Sequence, residues 1–324
     1  MKKTALISGI SGQDGAFLAR ILLDNGYHVV GTSRDVSRAN FDSLRKLNIL
    51  DLVELVSLSP IDLMGVINTI KKYQPSEIYN LSGQSSVSVS FAQPHSTMES
   101  IIMGTLNFLE AIRFSNNAIK FYNAGSSEMF GSAAERVNEK TRLAPRSPYA
   151  VAKAASFFEV ANYREAYSLF ATTGILFNHE SPFRGDNFVT KKIIHGAVAI
   201  ANGQKKDKLE LGNISIKRDW GWAPEYMTAV WKMLQLDKPH DLIIATGETH
   251  SLENFLEMAF GYFNLSWKDH VILNDSLKRP SDLDAIFADP GEAERVLKWK
   301  SKIKLNAIVK NMIEYEIDGK FSLV

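Results

Sequence analysis

Cysteine is absent from all 324 positions, so neither disulfide staples nor thiolate metal sites are available to this chain. A surplus of one charge is missing too: 37 Lys and Arg stand against 36 Asp and Glu, a net of +1. Binding to nucleic acid or to an acidic membrane surface selects for a basic face, and this balance supplies none. Long apolar runs are also lacking, and nothing approaches the ~20 consecutive apolar residues of a membrane span. The opening "MKKTALISGISGQDG" sets two lysines before an apolar run. Glycines interrupt that run after about six residues, short of the roughly 7–15 of a secretory h-region. The seven histidines are scattered, with no pair at metal-ligand spacing. These absences predict a cytoplasmic chain with no metal, no nucleic-acid partner and no membrane contact.

What is present is an ordinary globular composition, 45% hydrophobic and 23% charged, on a chain long enough to bury a sizeable core. Short runs rich in β-branched and aromatic residues recur at 4–9, 28–33, 52–58, 77–82 and 119–126, each bounded by turn formers. Between them Phe17/Ile21, Leu18/Leu22, Ile67/Ile70 and Leu106/Leu109 repeat at helical spacing. This alternation predicts a parallel sheet covered by helices on both faces. Runs at 172–178 and 241–247 extend the sheet, and irregular stretches at 179–188, 203–224 and 274–291 suggest a smaller C-terminal lobe. The expected division is 1–178, mainly dinucleotide-binding, and 179–324, mainly substrate-binding and discontinuous, because the strand at 241–247 returns to the sheet. The fold class is α/β, a Rossmann-type doubly wound parallel sheet with a mixed C-terminal substrate lobe.

"GISGQDG" puts Gly9, Gly12 and Gly15 after the first strand and at the start of an amphipathic helix. A tight turn tolerates positive φ only at glycine, and a pyrophosphate reaches the backbone only where no Cβ intervenes. The helix N-terminus adds N–H donors and a partial positive charge. The pattern in this context predicts a dinucleotide site. Strand two ends in "GTSRDVSR", where Ser33, Arg34, Ser37 and Arg38 suit the 2′-phosphate of NADP, while Asp35 follows the first arginine. NADP is therefore favoured over NAD.

"RSPYAVAK" sets Tyr149 and Lys153 four residues apart, on one face of a helix. An ammonium beside a phenol stabilises the phenolate and lowers a pKa normally near ~10 toward neutrality. Ser126, at a Ser-rich strand end, is the expected third member, hydrogen-bonding the oxygen that Tyr149 deprotonates. With the glycine turn, this set resembles the extended short-chain dehydrogenase/reductase family. Longer strings narrow the resemblance: "NLSGQSSVSVSF" (80–91), "NYREAY" (162–167), "GILFNHESPFRG" (174–185), "FVTKKI" (188–193), "LGNISIKRDWG" (211–221) and "RPSDLD" (279–284). Over nearly the whole chain they resemble the GDP-mannose 4,6-dehydratase family.

The resemblance implies a reaction without net redox change, on a GDP-sugar, by a homodimer or homotetramer. It assigns the cofactor to Gly9, Gly12, Gln13, Asp14, Gly15, Ser33, Arg34, Arg38, Ser59, Leu81, Tyr149 and Lys153. Hydride leaves C4 of the hexose, the resulting ketone acidifies the C5 proton, and water leaves from C6. That chemistry needs one acid–base group beyond Ser126, Tyr149 and Lys153. Glu128, two residues past Ser126 in "AGSSEMFG", is the expected base. Ser85, Asn178 and Glu180 are carried over to the sugar nucleotide, Val189 and Lys192 to the base, Arg218 to the pyrophosphate, and Arg279 and Asp282 to phosphate and ribose. The chain departs from the family pattern at Ser126 (usually Thr), at Ser59-Pro60, at Asp35 in the cofactor loop, at Ser86 (often His) and at Asp282 (often Glu). The last two changes leave room for a related GDP-sugar such as a GDP-heptose. A 4-reductase or epimerase on the same fold is the enzymatic rival.

Overall fold

The computed structural model describes residues 2–115, 118–205 and 207–320. Seven strands form its main sheet: β1 (Thr4–Ser8), β2 (His28–Ser33), β3 (Val53–Ser57), β4 (Glu77–Asn80), β5 (Lys120–Ser126), β6 (Ala171–Leu176) and β7 (Leu242–Ile244). Their spatial order is β7-β6-β5-β4-β1-β2-β3, and every neighbouring pair is parallel. All seven strands expected from the sequence are present. The order reverses between β1 and β4, and the crevice at the carboxyl ends of those strands is where sheets of this kind receive ligands. Central strands are apolar on both faces because helices cover both: Ala5, Leu6 and Ile7 of β1 are fully buried.

Among the described residues, eight helices of ten or more residues frame the sheet and the second core. They are α1 (Gln13–Asp24), α2 (Leu63–Tyr73), α3 (Gly104–Ser115), α4 (Pro148–Tyr167), α5 (Val189–Ala201), α6 (Ala223–Gln235), α7 (Leu252–Gly261) and α8 (Leu305–Asp318). On one face of the sheet, Phe17, Leu18 and Leu22 of α1 share a core with Met227, Val230 and Met233 of α6. On the other, α2, α3 and α4 contribute Val66, Ile70, Phe108, Leu109, Ile112 and Val160. Each fully buried Leu, Ile or Phe contributes roughly 1.5–3 kcal/mol, against about 0–1 for an exposed ion pair, so these clusters hold the fold.

A second core joins α5, α7 and α8 through Ile193, Ile194, Phe255, Phe260, Ile308 and Met312, with Trp220 and Trp222 packed into it. The chain enters this region directly from β6. Residues 178–180 and 220–222 pair in parallel, Asn178 opposite Trp220 and Glu180 opposite Trp222. The irregular stretches expected from the sequence therefore carry short two-stranded pairings, including 217–218 with 250–251. These pairings bring Arg218 and Glu180 toward the carboxyl ends of the main strands.

Candidate active site

The turn after β1 is shaped by its glycines. Gly9 has φ +93°, and a Cβ there would lie 2.9 Å from the Leu81 carbonyl oxygen. A Cβ on Gly15 would lie 2.4 Å from the Gly9 carbonyl oxygen, so α1 packs directly on the turn. Gly12 is different: an added Cβ would meet only the Gly9 oxygen, at 3.5 Å. No side chain caps the first turn of α1. The result is a backbone cradle open at Gly12 and closed elsewhere, which fits a dinucleotide pyrophosphate. The Leu81 N–H donates to the Ser8 carbonyl at 2.9 Å, and this fixes the end of β4 beside the cradle.

Ser33 closes β2, and Arg34 and Arg38 beyond it are exposed. The Asp35 carboxylate accepts from the Ser37 N–H at 2.9 Å and from its hydroxyl at 2.6 Å, and Arg38 lies 3.6 Å away. Ser37 therefore faces Asp35. Past β3, the Ser59 carbonyl accepts from the Asp62 N–H at 3.0 Å, and Asp62 caps α2 at the Gly65 N–H. The Pro60 carbonyl accepts from the Asn107 amide at 2.9 Å. Pro60 thus redirects the loop onto α3 while Ser59 stays partly accessible.

Ser147 caps α4, accepting from the Ala150 N–H at 3.1 Å, with Pro148 at the first helical position. This start sets Tyr149 and Lys153 one turn apart on the buried face. The Ser126 hydroxyl is near enough to the Tyr149 phenol to favour its ionised form. The Lys153 ammonium donates to the Ala124 carbonyl at 2.7 Å and stands 5.8 Å from the centre of the Tyr149 ring. The protonation states differ from the expectation of a lowered phenol. Burial pushes Tyr149 up to about 12, with Ser126 opposing it, and pushes Lys153 down to about 8, with the Asp14 carboxylate opposing. Desolvation outweighs the opposing pull of Ser126 and Arg184 on the phenol in the free protein.

After β5 the chain turns into a single 3-10 turn, Ser127–Phe130, because the Ser126 hydroxyl accepts from the Glu128 N–H at 3.3 Å. Ser126 thereby fixes where Glu128 emerges. Burial raises the Glu128 carboxyl above its ordinary range against the pull of Arg218 and Arg279. Arg218 is almost fully buried; its Nη2 lies 3.7 Å from Glu128 and 3.5 Å from Asp282, and its Nη1 donates to the Leu283 carbonyl at 2.8 Å. Arg279 is 3.6 Å from Asp282 and donates to the Ser88 hydroxyl at 3.2 Å. Glu128, Arg218, Asp282 and Arg279 thus form one alternating chain of charge beside the Ser126–Tyr149–Lys153 set.

Other expected residues lie further out. Ser85 is exposed on the loop after β4. Asn178 is partly accessible, whereas Glu180 is buried and accepts from the Thr190 hydroxyl at 2.7 Å, with Arg184 at 3.3 Å. Val189 opens α5, partly buried against the second core. Lys192 is exposed and donates to the Glu210 carbonyl at 2.7 Å. Gln13 and Asp14, expected at the cofactor, direct their side chains to the segment after β6. Asp14 lies 3.0 Å from His179, and Gln13 accepts from the Ser181 hydroxyl at 2.6 Å. Sequence reasoning also passed over Asp219, which accepts from the Thr246 N–H and hydroxyl and the Gly247 N–H at 2.8–3.0 Å. That carboxyl, pushed up to about 6 by burial, ties the strand carrying Arg218 to the end of β7. Its signal was the unbroken "RDWG" string.

A doubly wound sheet with a glycine cradle, and a serine, tyrosine and lysine converging at its carboxyl edge, define an extended short-chain dehydrogenase/reductase. Solved structures of that class match the fold closely. A UDP-glucose 4-epimerase from Thermus thermophilus, solved with NAD, superposes with a TM-score of 0.86 at 20% identity, covering 98% of this chain and 100% of that one. A dTDP-glucose 4,6-dehydratase from Streptomyces venezuelae, solved with NAD bound, gives 0.86 at 18% identity, covering 99% and 100%. The model of the GDP-mannose 4,6 dehydratase family matches residues 6–312, and the chain belongs to that family. It is 43% identical to GDP-mannose 4,6 dehydratase 1 of Arabidopsis thaliana over 327 residues, 98% of this chain and 90% of that protein.

Proposed function

We propose that the chain converts GDP-mannose to GDP-4-keto-6-deoxymannose, with tightly bound NADP and the loss of one water. The observation that carries this reading is the largely buried Glu128 carboxyl beside the Ser126–Tyr149–Lys153 set, since a simple reductase or epimerase needs only those three. When bound, NADP would supply a hydride acceptor for C4 and later a donor for C6, and the positive charge of its oxidised form would favour the phenolate. Tyr149 takes the C4 hydroxyl proton, Ser126 holds that oxygen, and Lys153 keeps the phenolate accessible. Glu128 removes the C5 proton from the ketone and protonates the C6 hydroxyl as it leaves as water; C5 takes up a proton from solvent when C6 receives the hydride, and Tyr149 releases to solvent the proton it took. A carboxyl raised by burial suits a group that accepts and donates in one cycle. Arg218 binds the pyrophosphate with its planar fork; drawn toward phosphate, it would stabilise the Glu128 anion less and strengthen that base.

NADP over NAD is supported by Ser33, Arg34 and Arg38 at the end of β2, and by the engagement of the Asp35 carboxylate with Ser37, which occupies it as a ribose acceptor. The same reading assigns 1–178 mainly to the cofactor and 179–324 mainly to the sugar nucleotide. It also takes the exposed apolar side chains of α3 and α4, Phe114, Val151 and Phe158, as the contact of a homodimer. In the test, Glu128→Gln binds NADP⁺ and GDP-mannose as the parent does, but forms no alkali-absorbing 4-keto-6-deoxy product. Parental turnover in that variant overturns the role given to Glu128. Stoichiometric consumption of NADPH would identify a 4-reductase instead.

A further inference from the structure

We infer that Asp14 and His179 form a carboxylate–imidazolium latch, its imidazole buried and its carboxylate partly accessible, that positions the cofactor turn against the segment following β6. The geometry limits the protons. His179 Nδ1 is 2.7 Å from the Phe177 carbonyl oxygen, which can only accept, so Nδ1 carries a hydrogen. Nε2 is 3.0 Å from Asp14 Oδ2. A neutral ring in that tautomer would turn its lone pair on the carboxylate unless a second proton sits between them. That proton belongs to the imidazole, because a carboxyl is ordinarily more acidic than an imidazolium by roughly 2–3 pKa units. Asp14 Oδ1 meanwhile accepts from the Gln13 amide at 3.1 Å, a bond that further favours the anion.

The surroundings act in the same direction. For His179, burial favours the neutral ring and Arg184 adds to it, but Asp14 together with the Phe177 carbonyl outweighs both and the imidazole stays above its ordinary value. For Asp14, burial favours the acid, yet His179 and the Gln13 amide hold it below the usual carboxylate range. The Tyr226 ring lies 5.0 Å from the imidazole, closing its other side. The phenols of Tyr122 and Tyr149 and the ammonium of Lys153 all feel the Asp14 charge. Gln13 adds a second tie: its amide donates to the His179 carbonyl at 3.3 Å and its oxygen accepts from Ser181.

Both side chains of the turn are thus committed to residues 177–181, and Asp14 and His179 are positioning residues. The strand that holds Asn178 and Glu180 cannot shift without moving the cradle. In addition, the Asp14 anion helps keep the Lys153 ammonium protonated. Because the folded pKa of His179 is raised, its contribution is complete below the ordinary histidine value of ~6.5 and disappears as pH rises through the higher folded value.

The test is a nitrogen-15 NMR titration of the His179 ring, paired with NADP⁺ calorimetry across the same pH range. The consequence for cofactor affinity rests on the function proposed above; the protonation state does not. At pH 7 both ring nitrogens of His179 should be protonated, with a midpoint above those of the other histidines. In Asp14→Asn that midpoint should fall by about one pH unit, a tenfold change in proton affinity. NADP⁺ affinity of the parent should fall about tenfold as pH rises through the midpoint, and that step should vanish in Asp14→Asn. A ring carrying one proton at pH 7, or a midpoint unmoved by Asp14→Asn, overturns the latch. Parental NADP⁺ affinity that stays flat while His179 titrates overturns its positioning role. Failure to bind NADP⁺ at every pH rejects the cofactor assignment, while the NMR titration still decides whether the latch exists.

Discussion

Tyr149 and Lys153 show what residue types and spacing convey and what they omit. Their separation by four places puts them on one helix face, as the structure has it. The direction of the phenol's shift was not legible, because burial is a property of the packed molecule: α4 lies against β5 and removes water from both groups. Glu128 was legible as a chemical possibility two residues past Ser126, but its partnership with Arg218, ninety positions later in the chain, depends on short strands with no periodic signal. Glu159 makes the same point where no reading singled it out. Its carboxyl is pushed up to about 7 by burial, and its Oε2 has no hydrogen-bond partner among the described residues. With a raised folded pKa, its contribution is complete below the ordinary carboxyl value of ~4.3 and is lost as pH rises through the folded value. Glu159→Gln, which never ionises, should therefore raise the melting temperature at pH 8. Calorimetric scans should show that gain shrinking toward pH 5; a gain independent of pH would contradict the assignment.

At the scale of elements, the glycine turn and the strands it joins were the most legible parts. Alternating apolar runs and helical spacings mark the sheet because both faces of its central strands are covered, and that forces apolar residues into runs. The pairing of 178–180 with 220–222 escaped notice, since two segments of three residues carry no usable period. The turn also supports a quantitative expectation. A Cβ on Gly15 would sit 2.4 Å from the Gly9 carbonyl oxygen and 2.7 Å from the Ile10 Cα, both backbone atoms that cannot rotate aside. Gly15→Ala should cost about 1–3 kcal/mol of folding stability, read by denaturant unfolding, and should weaken NADP⁺ binding at least tenfold. A variant as stable as the parent would mean that α1 does not pack on the turn as described.

At the scale of the whole molecule, two cores meet at one crevice: β5 and α4 present Ser126, Tyr149 and Lys153, and the region beyond β6 supplies Arg218, Arg279 and Asp282. The return of the chain to the sheet at β7 was legible as an apolar run at 241–247, but the ties from Asp219 and His179 that hold this convergence carried no periodic signal in the sequence. The proposed homodimer belongs to this scale. Phe158 is 58% exposed on α4, and Phe158→Asp should convert a dimer to a monomer in sedimentation without unfolding the chain. An unchanged sedimentation coefficient would move the contact elsewhere.

In the proposed reaction, one active site removes a hydride at C4, expels water and returns the same hydride at C6. The most direct measurement uses GDP-mannose deuterated at C4 with catalytic NADP⁺, followed by mass spectrometry and proton NMR of the product. The expected product is a 4-keto-6-deoxy sugar with the deuterium at C6, formed without accumulation of NADPH. Deuterium lost to water, or left on released NADPH, would contradict it.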